Sequence, residues 1–232
     1  MKYSSLRLAL GAILALGAVM AQAATLNTGD VLTISAGVTI PNPSGYASSV
    51  VSGSYFGIDI DGDGIVADNE KIALEQGTTG LVIGVSTSPG ASHAGAPTAG
   101  DTNAIDAPWF YSGNTGSDYV TTPVTGSTET GLDMSGWHVT WNGTQMSAST
   151  AYTWGSGYLP GVGNFSWDGN YGNAYTLDYH GIFPPADPSC FCQTNYALHL
   201  TGIVSPVPVP GAIWLIVSGL LGMFGIARKK VV

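Results

Sequence analysis

The chain has 232 residues, with 6 Lys and Arg against 15 Asp and Glu, a formal net charge of −9 and only 9% charged residues. Such an acidic, sparsely charged chain repels nucleic acid and anionic headgroups and attracts divalent cations, which excludes nucleic-acid binding as a function class. Five of the six bases lie at the two ends, so residues 24–205 carry fifteen acids against the single base Lys71, net −14.

At the N-terminus, Lys2 and Arg7 precede an apolar run from Leu8 to Met20, and Ala21-Gln22-Ala23 supplies the small residues of a cleavage site. Residues 1–23 therefore read as a secretory signal peptide, and the exported body is expected over 24–205 as a single domain. Glycine is abundant, at 33 residues, and helical periodicity is nearly absent from that body. Short alternating or β-branched runs predict strands over Val31–Ile40 and Val50–Ile58.

The most specific chemical motif follows at once. In "DIDGDGIVADNE", Asp59 to Glu70, acids stand at positions one, three and five, Gly64 at six, Val66 at eight and Glu70 at twelve. A hard cation takes six to eight oxygens, the glycine permits a sharp bend, and a distal carboxylate closes the shell. Asp59, Asp61, Asp63, the carbonyl of Ile65 and Glu70 are thus the expected Ca²⁺ ligands. The competing reading is an acidic surface turn that binds nothing. The flanks differ from those of a paired cytosolic sensor: "SYFGIDI" before the loop is strand-like, and "EKIALEQG" after it predicts a short helix closed by Gly77. The arrangement resembles the isolated EF-hand-like loops of extracellular bacterial domains such as dockerin repeats, and the resemblance implies a structural staple rather than a switch.

A further strand is expected over Gly80–Val85. Residues 84–136, rich in Gly, Ser, Thr, Ala and Pro, are too long for a structureless loop, and short strands are expected near Trp109–Tyr111 and Tyr119–Val124. Beyond them, Trp137, Val139 and Trp141 alternate with His138 and Thr140, and Asn142-Gly143 supplies a turn. Strands over Asn164–Trp167, Ala174–Tyr179 and Tyr196–Val204 complete the set, with Tyr175, Leu177, Tyr179, Tyr196, Leu198 and Leu200 inward and Asp168-Gly169 as a second turn. These elements predict an all-β fold, an antiparallel β-sandwich of jelly-roll or immunoglobulin-like type with one short helix after the loop.

Other signals are weaker. Cys190 and Cys192 are the only cysteines, and export favours a disulfide between them, although a bridge across one residue closes a small strained ring; two separate thiols or a redox or soft-metal site are the alternatives. His93, His138, His180 and His199 show no metal-ligand spacing, and no nucleophile elbow or phosphate loop is present. The sequence therefore favours a non-catalytic role. Trp109, Phe110, Tyr111, Trp154, Tyr158 and Tyr171 fall outside the clearest core-facing sets; they serve either in core packing and loop clamping or as platforms on which sugar rings stack. A glycan-binding module and a secreted hydrolase are accordingly the alternative functions.

The C-terminus is distinct. Prolines 206, 208 and 210 hold an extended approach, residues 211–227 carry no charge and make an apolar helix of about 25 Å, and Arg228, Lys229 and Lys230 stop it on the cytoplasmic side. The order of Val207-Pro208-Val209-Pro210, Gly211-Ala212-Ile213-Trp214, Ser218 to Gly222 and the terminal basic cluster resembles the PEP-CTERM sorting signal of Gram-negative bacteria, over residues 206–230 alone. Val209 stands where that family's motif has glutamate. The resemblance implies inner-membrane anchoring by the C-terminal helix, recognition at Pro208 and Pro210 by an exosortase-like membrane transpeptidase, and a place among exported proteins associated with exopolysaccharide and biofilm.

Overall fold

The computed structural model describes residues 23–41, 49–87, 104–141, 144–147, 153–185 and 191–207. Residues 1–22 of the expected signal peptide, the Asn142-Gly143 turn, Cys190, and the sorting-signal residues Pro208, Pro210, Arg228, Lys229 and Lys230 with the helix expected over 211–227 lie outside the described residues. Among the described residues no helix is long and apolar enough to cross a membrane.

The fold is all-β and antiparallel. In chain order the strands are β1 (Val31–Leu32), β2 (Val38–Ile40), β3 (Ser49–Ser52), β4 (Tyr55–Ile58), β5 (Lys71–Ala73), β6 (Leu81–Val82), β7 (Trp109–Tyr111) and β8 (Asn114–Val120). They continue with β9 (Gly126–Ser127), β10 (Gly131–Asp133), β11 (Trp137–Trp141), β12 (Thr144–Ser147), β13 (Val162–Trp167), β14 (Ala174–Ile182) and β15 (Asn195–Ser205). The larger sheet runs β5-β4-β15-β14-β13-β10-β9, with β1 and β6 joined to it through β15; a second sheet runs β12-β11-β8-β7, and β2 pairs with β3 alone.

β15 organises the larger sheet. One edge pairs with β14 from Ala174↔Ile203 to Ile182↔Asn195, while the other is shared by β4 at Tyr196–His199 and β1 at Val204–Ser205. Fully buried Ser54 fills the gap between them, donating to the Thr201 carbonyl at 3.1 Å and accepting from the Thr201 amide at 3.0 Å. The expected Val31–Ile40 strand is divided for the same reason. Ser35 donates to Thr201 of β15, and two residues later Gly37 donates to Leu74, so the chain changes partner in mid-run.

The strands read from alternation hold their expected faces. Tyr175, Leu177, Tyr179, Tyr196, Leu198 and Leu200 are all buried. Rings from the two sheets meet between the layers: Phe56 of β4 lies 5.5 Å from Trp137 of β11 and 5.9 Å from Trp109 of β7, and Trp137 in turn meets Tyr179 and Tyr196. One core cluster extends from Leu26 to Val204, giving a sandwich-like body. His138, expected on a solvated face, is buried; it stacks at 6.1 Å on Tyr119, its cross-strand neighbour.

The helix expected after the acidic loop is a correction. Asp68–Glu70 forms a single 3₁₀ turn, and Lys71–Ala73 continues as β5 against β4. The cause is spacing: Ile72 and Leu74 are both buried, two residues apart, which suits a pleated strand and places the two on different sides of a helix. Tyr55↔Ala73 and Gly57↔Lys71 then supply backbone partners that a one-turn helix would forgo.

Candidate metal centre

β4 delivers the chain into the acidic loop at Asp59, and β5 receives it after Glu70. Two glycines with positive φ, Gly62 at +73° and Gly64 at +87°, make the bends. The Gly64 amide donates to Asp59 Oδ2 at 3.1 Å, the Asp63 amide to Asp61 Oδ1 at 3.2 Å, and the Ile65 amide to Asp63 Oδ1 at 2.8 Å. Each side chain thus closes a local turn over its own loop. Val66 lies over Gly57 on β4, where any larger residue would displace it.

Carboxylate oxygens of Asp59, Asp61 and Asp63 all lie within 4.8 Å of one another. Asp61 and Asp63 are exposed, whereas Asp59 is buried and its Oδ1 has no hydrogen-bond partner. A buried anionic oxygen without a donor is costly, and a cation against it removes that cost. The donor set is all hard oxygen, so these residues fit a hard divalent ion.

Glu70 is placed differently from its three partners. It is buried at the loop's closure; Oε1 accepts the amides of Ile60 at 2.7 Å and Asp61 at 3.2 Å, and Oε2 accepts that of Ala67 at 2.9 Å. It therefore braces both ends of the loop, and it is not one of the three converging acids. Ile65 is 62% exposed and contributes its amide to Asp63.

Asn195, the first residue of β15, was not legible as part of this site. Its Nδ2 donates to Asp59 Oδ2 at 2.8 Å, while the Asp59 amide donates to its carbonyl at 3.0 Å. Nothing in the sequence marks it, because the pairing spans 136 positions. Lys71, the loop's neighbouring base, lies 2.6 Å from Asp68 and 4.7 Å over the Tyr55 ring.

The other candidates separate in space. Trp109 is buried in the core; Trp154 and Tyr158 both stack on His180, at 5.0 and 3.8 Å; the Tyr171 hydroxyl donates to Asp30 at 3.0 Å. Phe110 alone of these rings is largely in water, at 67% exposure. Cys192 is exposed. His199 lies 2.6 Å from Asp178 on the neighbouring strand and stacks on Tyr55, while burial lowers the pKa of both His138 and His180.

A second acidic pair escaped the sequence reading. Asp106 and Asp118 are fully buried, joined by the Asp118 amide donating to Asp106 Oδ1 at 2.8 Å. Asp106 Oδ2 and both carboxylate oxygens of Asp118 have no hydrogen-bond partner. Burial, opposed by the nearby Trp109 and Trp137 indoles, raises the Asp118 pKa to about 7; burial and then the Asp118 charge hold Asp106 well above the usual carboxylate range. Both are sealed from solvent.

No protein-family model, curated protein or solved structure matches the chain.

Proposed function

We propose that the chain is an exported, Ca²⁺-stapled β-sandwich that acts as a non-catalytic component of the cell surface or extracellular matrix, in association with exopolysaccharide or biofilm. One observation carries the staple: the buried, unpartnered Oδ1 of Asp59 beside the carboxylates of Asp61 and Asp63. Asp59, Asp61 and Asp63 would hold the ion, which supplies positive charge to a cluster that otherwise repels itself. The tether to Asn195 supports a role in stability, because filling the loop reinforces its attachment to β15. Export rests on the N-terminal signal pattern, and delivery rests on the tail: an apolar helix over 211–227 anchored in the inner membrane, with an exosortase-like transpeptidase acting near Pro208 and Pro210.

Two measurements test the reading separately. Calcium at 100 times its dissociation constant should add about 2.7 kcal/mol to unfolding stability, and Asp59→Asn should abolish the shift. A melting curve identical in Ca²⁺ and in chelator discards the staple. Intact-mass analysis of membrane and medium fractions from the native host tests delivery: a product that begins near Ala24 and ends near Pro210 supports it, and a cytosolic product with residues 1–23 intact refutes it.

A further inference from the structure

Beside the acidic loop lies a cleft of about 780 Å³, within the range of small-molecule sites. Its walls come from β2 and the segment before it, the loop, β5 and the residues after it, and β7, including Thr39, Asp61, Asn69, Glu75, Phe110 and Tyr111. Phe110 is 67% exposed there, while Trp109 before it packs into the core. The neighbouring Tyr111 is half-buried against Trp141 at 6.4 Å, and the indole of Trp141 donates to its carbonyl at 3.2 Å. The Phe110 backbone is thereby fixed by two anchored neighbours, and its ring is presented largely exposed in the cleft.

Charge narrows the ligand. Among the described residues the lining acids are Asp61, Glu70 and Glu75, and the one lining base, Lys71, is held by Asp68, so an anionic ligand meets repulsion without a free cation. A strongly cationic ligand is disfavoured as well. Both oxygens of Glu70 are engaged by backbone amides and Asp61 belongs to the metal cluster, which leaves Glu75 as the one uncommitted acid of the cleft. What remains is an aromatic face with a carboxylate, the Asn69 amide and the Thr39 hydroxyl around it. Those groups match a ring with apolar C–H faces and hydroxyl edges.

We propose that this cleft, with Phe110 as its stacking platform, binds a neutral, hydroxyl-rich oligosaccharide segment. The proposal deepens the matrix reading above and rests on it only for where the glycan is met. Its failure is separable, since delivery is read by fractionation and the staple by melting curves.

The test is native affinity electrophoresis of the full chain, in a detergent without a sugar headgroup, through gels containing dextran, xylan, galactomannan or a β-1,3-glucan, with alginate and polylysine gels as charged comparisons. Retardation is expected in at least one neutral gel. Phe110→Ala should weaken it roughly tenfold and Phe110→Trp should restore it, with melting temperatures little changed because the residue is 67% exposed and lies outside the core. Glu75→Gln should weaken it without creating retention in alginate. No retardation in any neutral gel, retardation that Phe110→Ala leaves intact, or retention in alginate or polylysine alone overturns the proposal.

Discussion

Asp59 and Asn195 hold one another twice, side chain to side chain at 2.8 Å and backbone to backbone at 3.0 Å, across 136 positions of sequence. The first acid of the loop is therefore oriented by the long strand of the larger sheet. Asn195→Ala removes one charge-assisted bond to a buried carboxylate. The expected cost is about 1.5–3 kcal/mol of stability in chelator and a loss of Ca²⁺ affinity on the order of tenfold, read by thermal melts and titration calorimetry. An unchanged affinity would show that Asp59 needs no tether.

Glu70 gives a contrasting expectation. Because its two oxygens accept three loop amides, Glu70→Gln turns an NH₂ group toward at least one amide donor and leaves that donor unmet. The apo protein should lose about 1–3 kcal/mol. A ligand acting only through the metal would instead leave the apo melt unchanged, so melting in chelator tells the two roles apart.

The Asp106 and Asp118 pair predicts a pH dependence with a definite sign. Asp118 titrates at about 7 when folded and near 3.8 when unfolded, so between those values the folded state holds the extra proton. The pair's contribution is fully present below the unfolded value and is lost as pH rises through the folded one, with a slope of up to roughly 1.4 kcal/mol per pH unit per proton. Asp118→Asn should flatten chelator-buffered melts between pH 5 and 7 and raise the melting temperature at pH 8. A stability curve that rises across that window would show both carboxyls ionised in the fold.

Gly116 faces Trp109 across β7 and β8, and a β-carbon there would enter the indole ring. Gly116→Ala should force the ring off its seat at a cost of about 1–3 kcal/mol. Near-ultraviolet circular dichroism should report the displaced indole. A native-like spectrum and melt would mean that the ring has room to slide.

The legible parts of the fold were those where one face is dry and the other wet. β14 alternates cleanly, and β15 does so apart from the small buried Ala197, because Tyr175, Leu177, Tyr179, Tyr196, Leu198 and Leu200 point into one layer. β8 lacks that signal: from Gly116 to Val120 every residue is buried, including Ser117 and Asp118, so no alternation survives. β9 and β10 are two and three residues long, each beginning with glycine, too short for any periodicity. In the loop, the acids and glycines were readable because their hydrogen bonds are local, within about five positions. Asn195 was invisible because strand order, rather than any local pattern, brings it there.

β15 begins at residue 195, yet it is the strand to which β1, β4 and β14 are all joined. A nascent chain emerging N-terminus first therefore exposes some 170 residues of body before the piece that unites them arrives. Products truncated before that point would keep their edges open and be prone to aggregation or degradation. Closure of the large sheet therefore waits on the same strand that seats Asp59.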